Sequence, residues 1–221
     1  MRKYRHGYFI TLEGGEGTGK TTMVQRLGLW AYSHDFTYEI MNDPSKAIPE
    51  SVLIRDILLN EKHKNLTPEV ELLLYLAARK LLDIHMIEPA LKEGNLVICD
   101  RYADSTIVYQ GMARNRLPSV KRVIKATKIG IEPDLTFYLD VDPRIGVVRS
   151  LDRLSDANVN EGRFENMDLS FHEKLREGYL KLAKKKPRIH VIDATGPENV
   201  VWNQIKMILD KKLSRMKRKI I

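Results

Sequence analysis

Short apolar runs alternate along the chain with longer stretches of helical periodicity. The apolar runs cover residues 8–12, 37–41, 96–99, 135–141 and 190–192, and their length is typical of buried strands. Helical patterns cover residues 22–32, 51–59, 67–92, 170–184 and 198–216, and a further helix opens at Asp142 and Pro143. This alternation predicts parallel βαβ units and therefore an α/β fold, an open five-stranded parallel sheet with helices on both faces.

The longest helical pattern carries clear boundary signals. Thr67 offers a hydroxyl cap, and Pro68 stands at the first helical position, where a proline is tolerated. We expect this helix to continue to residue 92, with a kink near Pro89, and to close at Gly94. Ligands bind such sheets at the carboxyl ends of the strands, so the residues that follow the strands are the first candidates for function.

The composition is that of an ordinary globular domain. The 221 residues are 43% hydrophobic and 30% charged, which favours a single domain over residues 1–221. The single cysteine, Cys99, excludes an internal disulfide and a cysteine zinc cluster, and it fits a reducing cytoplasmic location. No stretch approaches the ~20 apolar residues that cross a bilayer, so we expect a soluble protein without a membrane span.

The formal net charge of +8 leaves two interpretations open. A basic chain can bind nucleic acid or an anionic membrane surface. Its lysines and arginines can equally be solvated charge on a protein that binds small polyphosphates. Much of the excess lies near the two ends, including a basic tail over residues 209–221 to which the sequence assigns no role. Because runs of charge are usually solvated faces, we favour the second interpretation.

A phosphate-binding loop follows the first predicted strand. Residues 14–21 read Gly-Gly-Glu-Gly-Thr-Gly-Lys-Thr and match the G-x-x-x-x-G-K-[ST] pattern in full, with a strand before and a helix after. In such a loop the backbone N–H groups close around phosphates, Lys20 is the catalytic cation on the β- and γ-phosphates, and the Thr21 hydroxyl binds Mg²⁺. The predicted ATP-binding residues here are Gly14, Gly15, Glu16, Gly17, Thr18, Gly19, Lys20, Thr21 and Thr22.

A second buried strand ends in an acid at Asp100, which we expect to hold Mg²⁺ through water together with Thr21. The residue after Asp100 helps to distinguish a kinase from a nucleotide hydrolase. Motor ATPases carry a second acid there, whereas this chain has Arg101, and no Asn-Lys-x-Asp sequence typical of GTPases occurs. An arginine at this place suits a second phosphate, and so an acceptor other than water.

Three ordered motifs narrow the prediction further. Residues 100–111 read Asp-Arg-Tyr-Ala-Asp-Ser-Thr-Ile-Val-Tyr-Gln-Gly, residues 73–79 read Leu-Leu-Tyr-Leu-Ala-Ala-Arg, and residues 133–142 read Pro-Asp-Leu-Thr-Phe-Tyr-Leu-Asp-Val-Asp. Together they resemble the thymidylate kinase family, with Val108 where that family usually has alanine, and the match runs over residues 8–208. The resemblance implies a P-loop NTPase-like fold with a flexible lid at about residues 150–165. It also implies Mg²⁺-assisted phosphoryl transfer from ATP to dTMP, and a homodimer.

The resemblance also assigns the acceptor side. Tyr75 would stack on the thymine face, and Arg79, one helical turn later, would reach the same nucleotide. Glu16 would contact the sugar 3′-hydroxyl, while Glu13 would at most order Mg²⁺-bound water. Ser105 and Gln110 would read the base edge. The complete set of implied dTMP-binding residues is Glu16, Asp43, Arg55, Tyr75, Arg79, Arg101, Ser105 and Gln110.

Phosphoryl transfer requires cations beside the moving group, and the family supplies them from the phosphate loop or from the lid. Gly17 occupies the loop position where one branch has arginine, so this chain resembles the branch with lid arginines. The resemblance therefore implies Arg153 and Arg163 as catalytic, transition-state cations beside Lys20 and Arg101. It places Arg149 against the adenine.

One departure keeps alternatives open. Residues 42–46 read Asn-Asp-Pro-Ser-Lys where the family often has R-E-P-G-G, so only the acid and the proline are kept. A kinase for another nucleoside or nucleoside monophosphate such as dUMP, and a relative without activity, are therefore alternatives. A nucleic-acid-binding P-loop ATPase is the alternative from another class, and it predicts salt-sensitive DNA or RNA binding. The sequence lacks the interleaved aromatic and basic residues of such proteins, so we do not expect nucleic acid as a partner.

Overall fold

The computed structural model describes residues 6–63, 65–157 and 162–217, although not the side chains of residues 153–157 and 214–217. In this part of the chain five strands form one parallel sheet in the order β2-β3-β1-β4-β5. The strands are β1 Tyr8–Gly14, β2 Tyr38–Asn42, β3 Leu96–Asp100, β4 Leu135–Asp140 and β5 Ile189–Asp193. The predicted α/β class with a five-stranded parallel sheet is confirmed.

Helices connect the strands and cover both faces of the sheet. They are α1 Lys20–Ser33, α2 Pro49–Leu59, α3 Pro68–Leu82, α4 Glu88–Lys92, α5 Ala103–Thr106, α6 Leu117–Thr127, α7 Pro143–Ala157, α8 Leu169–Lys185 and α9 Glu198–Lys217. Over the described ranges, none of these helices has both the length and the apolar character needed to cross a membrane.

The helix predicted over residues 67–92 is divided into α3, a π-helical turn at Asp83–Ile87, and α4. Thr67 caps α3 as predicted, since its hydroxyl accepts a hydrogen bond from the N–H of Val70. Pro89 has no N–H to donate to the preceding turn, and the wider π-helical turn accommodates it. Gly94 then ends the helix in a left-handed conformation, with a φ of 88°.

The core lies on both faces of the sheet because successive strand residues point to opposite sides. On one face Ile10 and Leu12 of β1 pack with α1 and α9. On the other face Phe9 packs with Ile87 and with α4. A further cluster joins α8 to Tyr138 of β4 and to the segment that follows α5. The helix α6, between β3 and β4, was not predicted from the sequence, and Val120 is its buried residue.

The carboxyl ends of three strands meet at one edge of the sheet. Leu12 of β1 pairs with Asp100 of β3, and Asn42 of β2 pairs with Asp100 from the other side. The phosphate loop, the segment after β3 and residues 42–46 are thereby brought together, at the edge where ligands bind parallel sheets.

The segment predicted as a flexible lid is partly helical. α7 continues to Ala157, so residues 150–157 belong to a helix that starts beside the sheet. Residues 163–167 form turns and bends that lead into α8. Residues 158–161 lie outside the described part of the chain. The predicted basic tail begins inside α9, which ends at Lys217.

Candidate active site

The phosphate loop between β1 and α1 depends on glycines with left-handed backbone conformations. Gly17 has a φ of 61° and Gly19 a φ of 84°, which residues with side chains rarely adopt. A Cβ atom on Gly17 would lie 1.9 Å from the carbonyl oxygen of Gly146 in α7. The loop therefore touches α7 backbone to backbone, and position 17 has no space for a side chain.

Lys20, the first residue of α1, is buried beneath this loop. Its Nζ donates to the carbonyl oxygen of Gly15 at 2.6 Å and lies 3.4 Å from both the Gly14 carbonyl oxygen and Thr18 Oγ1. Burial, together with repulsion from Arg101, lowers the pKa of Lys20 to about 8. An ammonium group that is desolvated in this way gains strongly from an anionic partner, as a polyphosphate would be.

Thr21 and Asp100, the two predicted magnesium ligands, lie together. Thr21 Oγ1 donates to Asp100 Oδ2 at 3.1 Å. Within the described residues, no group of three or more His, Cys, Asp or Glu side chains could hold a metal ion by itself. A hydroxyl and a carboxylate fit Mg²⁺ when substrate phosphates and water complete its octahedron, and these two residues adjoin the phosphate loop.

Arg101 and Glu16 face each other at the mouth of the loop. Arg101 Nη2 donates to both carboxylate oxygens of Glu16 at 2.8 Å, and Tyr109 donates its hydroxyl to Glu16 at 2.7 Å. Burial alone would raise the pKa of Glu16, but Arg101, Lys20 and Tyr109 outweigh it and lower the pKa to about 2. Arg101 has a φ of 63°, a strained conformation that is concentrated at functional sites.

Glu13 lies behind the loop and is 1% exposed. Its carboxylate accepts hydrogen bonds from the N–H of Tyr102 at 2.9 Å, from Ser105 Oγ at 2.6 Å and from the Tyr179 hydroxyl at 3.0 Å. Burial and repulsion from Asp104 raise the pKa of Glu13 to about 7. Ser105, which is predicted to read the base edge, has its hydroxyl held by Glu13 and Tyr179 in this structure. Ser105 instead fixes the segment after β3 to the back of the loop.

Arg79 and Asp43, both predicted to bind dTMP, bind each other. Arg79 is 1% exposed and donates from Nε to Asp43 Oδ2 at 2.7 Å, from Nη1 to Thr106 Oγ1 at 2.8 Å and from Nη2 to the Tyr102 carbonyl at 3.2 Å. These bonds occupy its guanidinium, so in this structure Arg79 joins α3 to residues 42–46 and to α5. The pair thereby keeps the acceptor-side segment in place although the usual glycines are missing from it.

Glu71 on α3 gathers three side chains around one buried carboxylate. Gln110 Nε2 donates to Glu71 Oε1 at 3.0 Å, and Arg114 Nη2 and Arg163 Nη2 donate to Oε2 at 3.0 and 2.7 Å. Arg163 also donates to the carbonyl oxygen of Leu58. We call these residues (Glu71, Gln110, Arg114 and Arg163) the Glu71 cluster. Arg163, which is predicted as a transition-state cation, fastens the end of the lid to α2 and α3 in this structure.

Tyr75 lies between these two groups, one turn after Glu71 and one turn before Arg79. Its ring is half-buried against the apolar cluster of α8, and burial raises its pKa well above the usual value. Arg55, on the neighbouring helix α2, donates from Nη1 to the Pro44 carbonyl at 3.1 Å. Tyr75, the predicted thymine-stacking residue, therefore lies on α3 between Arg79 and Glu71, and Glu71 holds Gln110.

The lid side of the loop is formed by α7. Arg149 is exposed there, and its Cβ lies 3.1 Å from the position that a Cβ on Gly17 would take. Arg153 lies one turn further along α7, but its side chain is outside the described residues. Both arginines thus belong to the helix that contacts the phosphate loop, whereas Arg163 does not.

Sequence reasoning missed several residues that shape the site, among them Glu71, His172 and Tyr179. Glu71 lies four residues before Tyr75, so the helical repeat was a usable signal for it. His172 and Tyr179 lie in α8, more than 150 positions after the phosphate loop. No local pattern marks these two residues, because only the folded sheet brings α8 to the loop.

The comparisons with known proteins agree with this geometry. A family model described as thymidylate kinase matches residues 12–205. The chain belongs to the thymidylate kinase family. The thymidylate kinase of Syntrophotalea carbinolica is 43% identical over 201 residues, 90% of this chain and 93% of that protein. That of Clostridium novyi is 40% identical over 205 residues, 92% and 98% of the two chains.

A solved structure supports the same family. The crystal structure of thymidylate kinase from Ehrlichia chaffeensis matches with a TM-score of 0.72 at 27% identity, and the match covers 93% of this chain and 100% of that one. The resemblance inferred from the three sequence motifs is therefore confirmed. As a member of the thymidylate kinase family the chain is a nucleoside monophosphate kinase.

Proposed function

We propose that the protein transfers the terminal phosphoryl group of ATP to dTMP and forms dTDP. The observation that carries this proposal is the Arg101–Glu16 pair, joined at 2.8 Å beside the phosphate loop. A hydrolase needs an activated water at this place, whereas a planar guanidinium binds a second phosphate. When dTMP binds, its phosphate takes over Arg101, and the Glu16 carboxylate turns to the sugar 3′-hydroxyl.

On the donor side the loop N–H groups and Lys20 hold the β- and γ-phosphates. Thr21 and Asp100 would hold Mg²⁺, and the ion would supply positive charge to the transferring phosphoryl group. The pKa of about 8 keeps Lys20 mostly protonated at neutral pH, and the neighbouring phosphates raise the pKa further. Lys20 therefore stays a cation throughout transfer.

An arginine of α7 neutralises the remaining negative charge of the transition state. Gly17 has no space for a loop arginine, because its Cβ would strike the Gly146 carbonyl at 1.9 Å. Arg153 supplies the catalytic cation after ATP binds, and Arg149, which lies beside Gly17, packs against the adenine. Arg163 keeps the end of the lid attached through the Glu71 cluster.

The acceptor base lies along α3. Tyr75 stacks on the pyrimidine, and Gln110, oriented by Glu71, binds the base edge. These contacts favour a pyrimidine, but dUMP differs from dTMP only by a methyl group. A hydrophobic contact of that size contributes about 1–3 kcal/mol, so dUMP is the closest competitor.

Two properties concern the protein as a whole. We propose a homodimer through α2 and α3, because Leu53 is 69% and Leu73 58% exposed on these neighbouring helices, next to exposed Val52 and Val70. Sedimentation equilibrium should show a dimer for the wild type and a monomer for Leu73→Glu. A reducing cytoplasmic location fits the free, buried thiol of Cys99.

The decisive test is a coupled assay of ADP release with Mg-ATP and a panel of dTMP, dUMP, dCMP, UMP and AMP. The fastest turnover is expected with dTMP. Lys20→Ala should lower turnover by more than about a hundredfold, because it removes a charge aimed at the transferring group, while Lys125→Ala on the exposed face of α6 should not. Turnover of Lys20→Ala near that of wild type, or ADP release that no monophosphate stimulates, would refute the proposal.

A further inference from the structure

A buried histidine adjoins the phosphate loop without a role in the reaction described above. His172 of α8 is 3% exposed, and within the described part of the chain its Nε2 atom has no hydrogen-bond partner. The ring also contacts the end of the lid, where hydrogen bonds with the backbone of Met167, Glu165 and Phe164 only partly offset the burial that lowers its pKa. Leaving a buried polar atom unpaired costs free energy, so such an atom needs an explanation.

His172 also lies at the wall of a small cavity. The cavity has a volume of about 20 Å³ and is lined by the loop residues Gly15, Glu16 and Thr18, by α7 and by His172. One water molecule needs roughly 10–15 Å³ of such space and two to four polar partners. The cavity is therefore the size of a single water, and it has polar groups on both the α8 side and the loop side.

We propose that His172 is a positioning residue for Glu16, and that a single water molecule in this cavity bridges His172 Nε2 to the phosphate loop. Nδ1–H of the neutral ring donates to the lid backbone, and Nε2 accepts from the water. The water donates its other hydrogen to the Glu16 carboxylate. The His172 ring thereby joins the end of the lid to Glu16, which in turn binds Arg101.

Charge on the ring agrees with this arrangement. Burial lowers the pKa of His172 although Glu16 acts to raise it, so the ring is neutral at physiological pH and Nε2 is an acceptor. His172 and Glu16 are close enough for each to influence the pKa of the other. The proposal rests on the acceptor role of Glu16 that is proposed above, since a displaced Glu16 would disturb both Arg101 and the contact to the sugar.

Two substitutions separate the two sides of the ring. A glutamine places its terminal amide near Nε2, whereas an asparagine reaches only the position of Nδ1. His172→Gln should therefore keep the water bridge and a KM for dTMP close to that of wild type. His172→Asn should raise the KM for dTMP roughly five- to tenfold, the effect of one net hydrogen bond, and leave the KM for ATP within about twofold. His190→Asn is the matched control, because the Nε2 of His190 is also buried and unpaired but lies in β5.

The kinetic test is a double-mutant cycle with Glu16→Gln. His172→Asn should have no further effect on the KM for dTMP in the Glu16→Gln background, because it acts through Glu16. It should also reduce the preference for dTMP over 3′-deoxythymidine monophosphate. If Glu16→Gln is impaired and His172→Asn is not, or if the two effects add in full, the role of His172 is overturned and the proposed function stands. A Glu16→Gln variant that keeps the wild-type KM for dTMP would instead refute the acceptor role of Glu16, and with it the basis for His172.

A high-resolution crystal structure of the wild-type protein provides a test that needs no variant. It should show one ordered water within about 3 Å of both His172 Nε2 and a Glu16 carboxylate oxygen. A dry cavity, or a direct bond from Nε2 to a protein atom, would overturn the proposal.

Discussion

Glu71 offers a direct test of whether the acceptor side depends on one buried carboxylate. The substitution Glu71→Gln keeps the shape of the side chain and removes its charge. The Glu71 and Arg163 side chains are 0% and 7% exposed, and that of Arg114 is 20% exposed. The change therefore leaves two poorly solvated guanidinium groups around a neutral amide.

The expected loss follows from the burial of this cluster. Removing one partner of a buried ion pair costs about 3–5 kcal/mol, because the other charge stays buried and unpaired. We expect the lower end, about 3 kcal/mol, since the glutamine carbonyl still accepts one hydrogen bond and Arg114 is partly solvated. For a chain of this size each kcal/mol shifts the midpoint of thermal unfolding by about 2–4 °C, so the midpoint should fall by roughly 6–12 °C.

Glu69→Gln is the matched control on the same helix. Glu69 also pairs with an arginine, Arg116, but their side chains are 60% and 48% exposed. Exposed pairs of this kind contribute little, so the control should unfold like the wild type. Urea unfolding followed by the fluorescence of Trp30 and Trp202 measures all three proteins. Glu71→Gln should also raise the KM for dTMP, because Gln110 loses its charged partner. If the free energies of unfolding of Glu71→Gln and Glu69→Gln differ by less than about 1 kcal/mol, the reasoning from burial is wrong.

Three further predictions concern the loop and the lid. The folded chain holds the Glu13 proton more tightly than the unfolded chain does. Wild type should therefore lose stability relative to Glu13→Gln as the pH rises from about 4.5 to 7, by up to about 1.4 kcal/mol per pH unit. Urea unfolding at a series of pH values checks this, and a difference in unfolding free energy that does not change with pH contradicts it. Gly17→Ala should lower kcat about a hundredfold by displacing the loop or α7, whereas Gly196→Ala should not, and equal activities would refute the steric argument. Arg153→Ala should lower kcat at least tenfold with the KM for dTMP within about twofold; an equal loss in both, or no loss, would place the catalytic cation elsewhere.

Motifs with a fixed local geometry could be predicted from the sequence. The loop from Gly14 to Thr21 is contiguous, so its amino-acid sequence alone predicts that Lys20 and Thr21 lie beside bound phosphates. The partnership of Thr21 with Asp100 also followed, because parallel strands β1 and β3 end at the same edge of the sheet. The family resemblance rested on three such contiguous segments.

Side chains whose partners come from distant segments could not be assigned in this way. Arg79 has the helical spacing from Tyr75 that suits a ligand, yet the buried carboxylate of Asp43 binds it in the fold. Ser105 lies in a motif that suggests contact with the base, but in the fold its hydroxyl donates to Glu13. Arg163 lies at the end of the segment where the sequence predicts lid cations, but in the fold it binds Glu71 of α3. In each case the sequence did not indicate which buried carboxylate would bind the charge or hydroxyl.

Isothermal titration calorimetry with a bisubstrate compound tests the central claim most directly, that the phosphate loop and Arg101 hold two phosphorylated nucleotides end to end. Adenosine joined to thymidine through five phosphates should bind one site per chain, and more tightly than ATP or dTMP, because one molecule fills both halves without a second loss of translational freedom. Arg101→Ala should reduce its affinity to about that of ATP. Binding of the compound no tighter than ATP, with no heat from dTMP or any other monophosphate, would contradict the account.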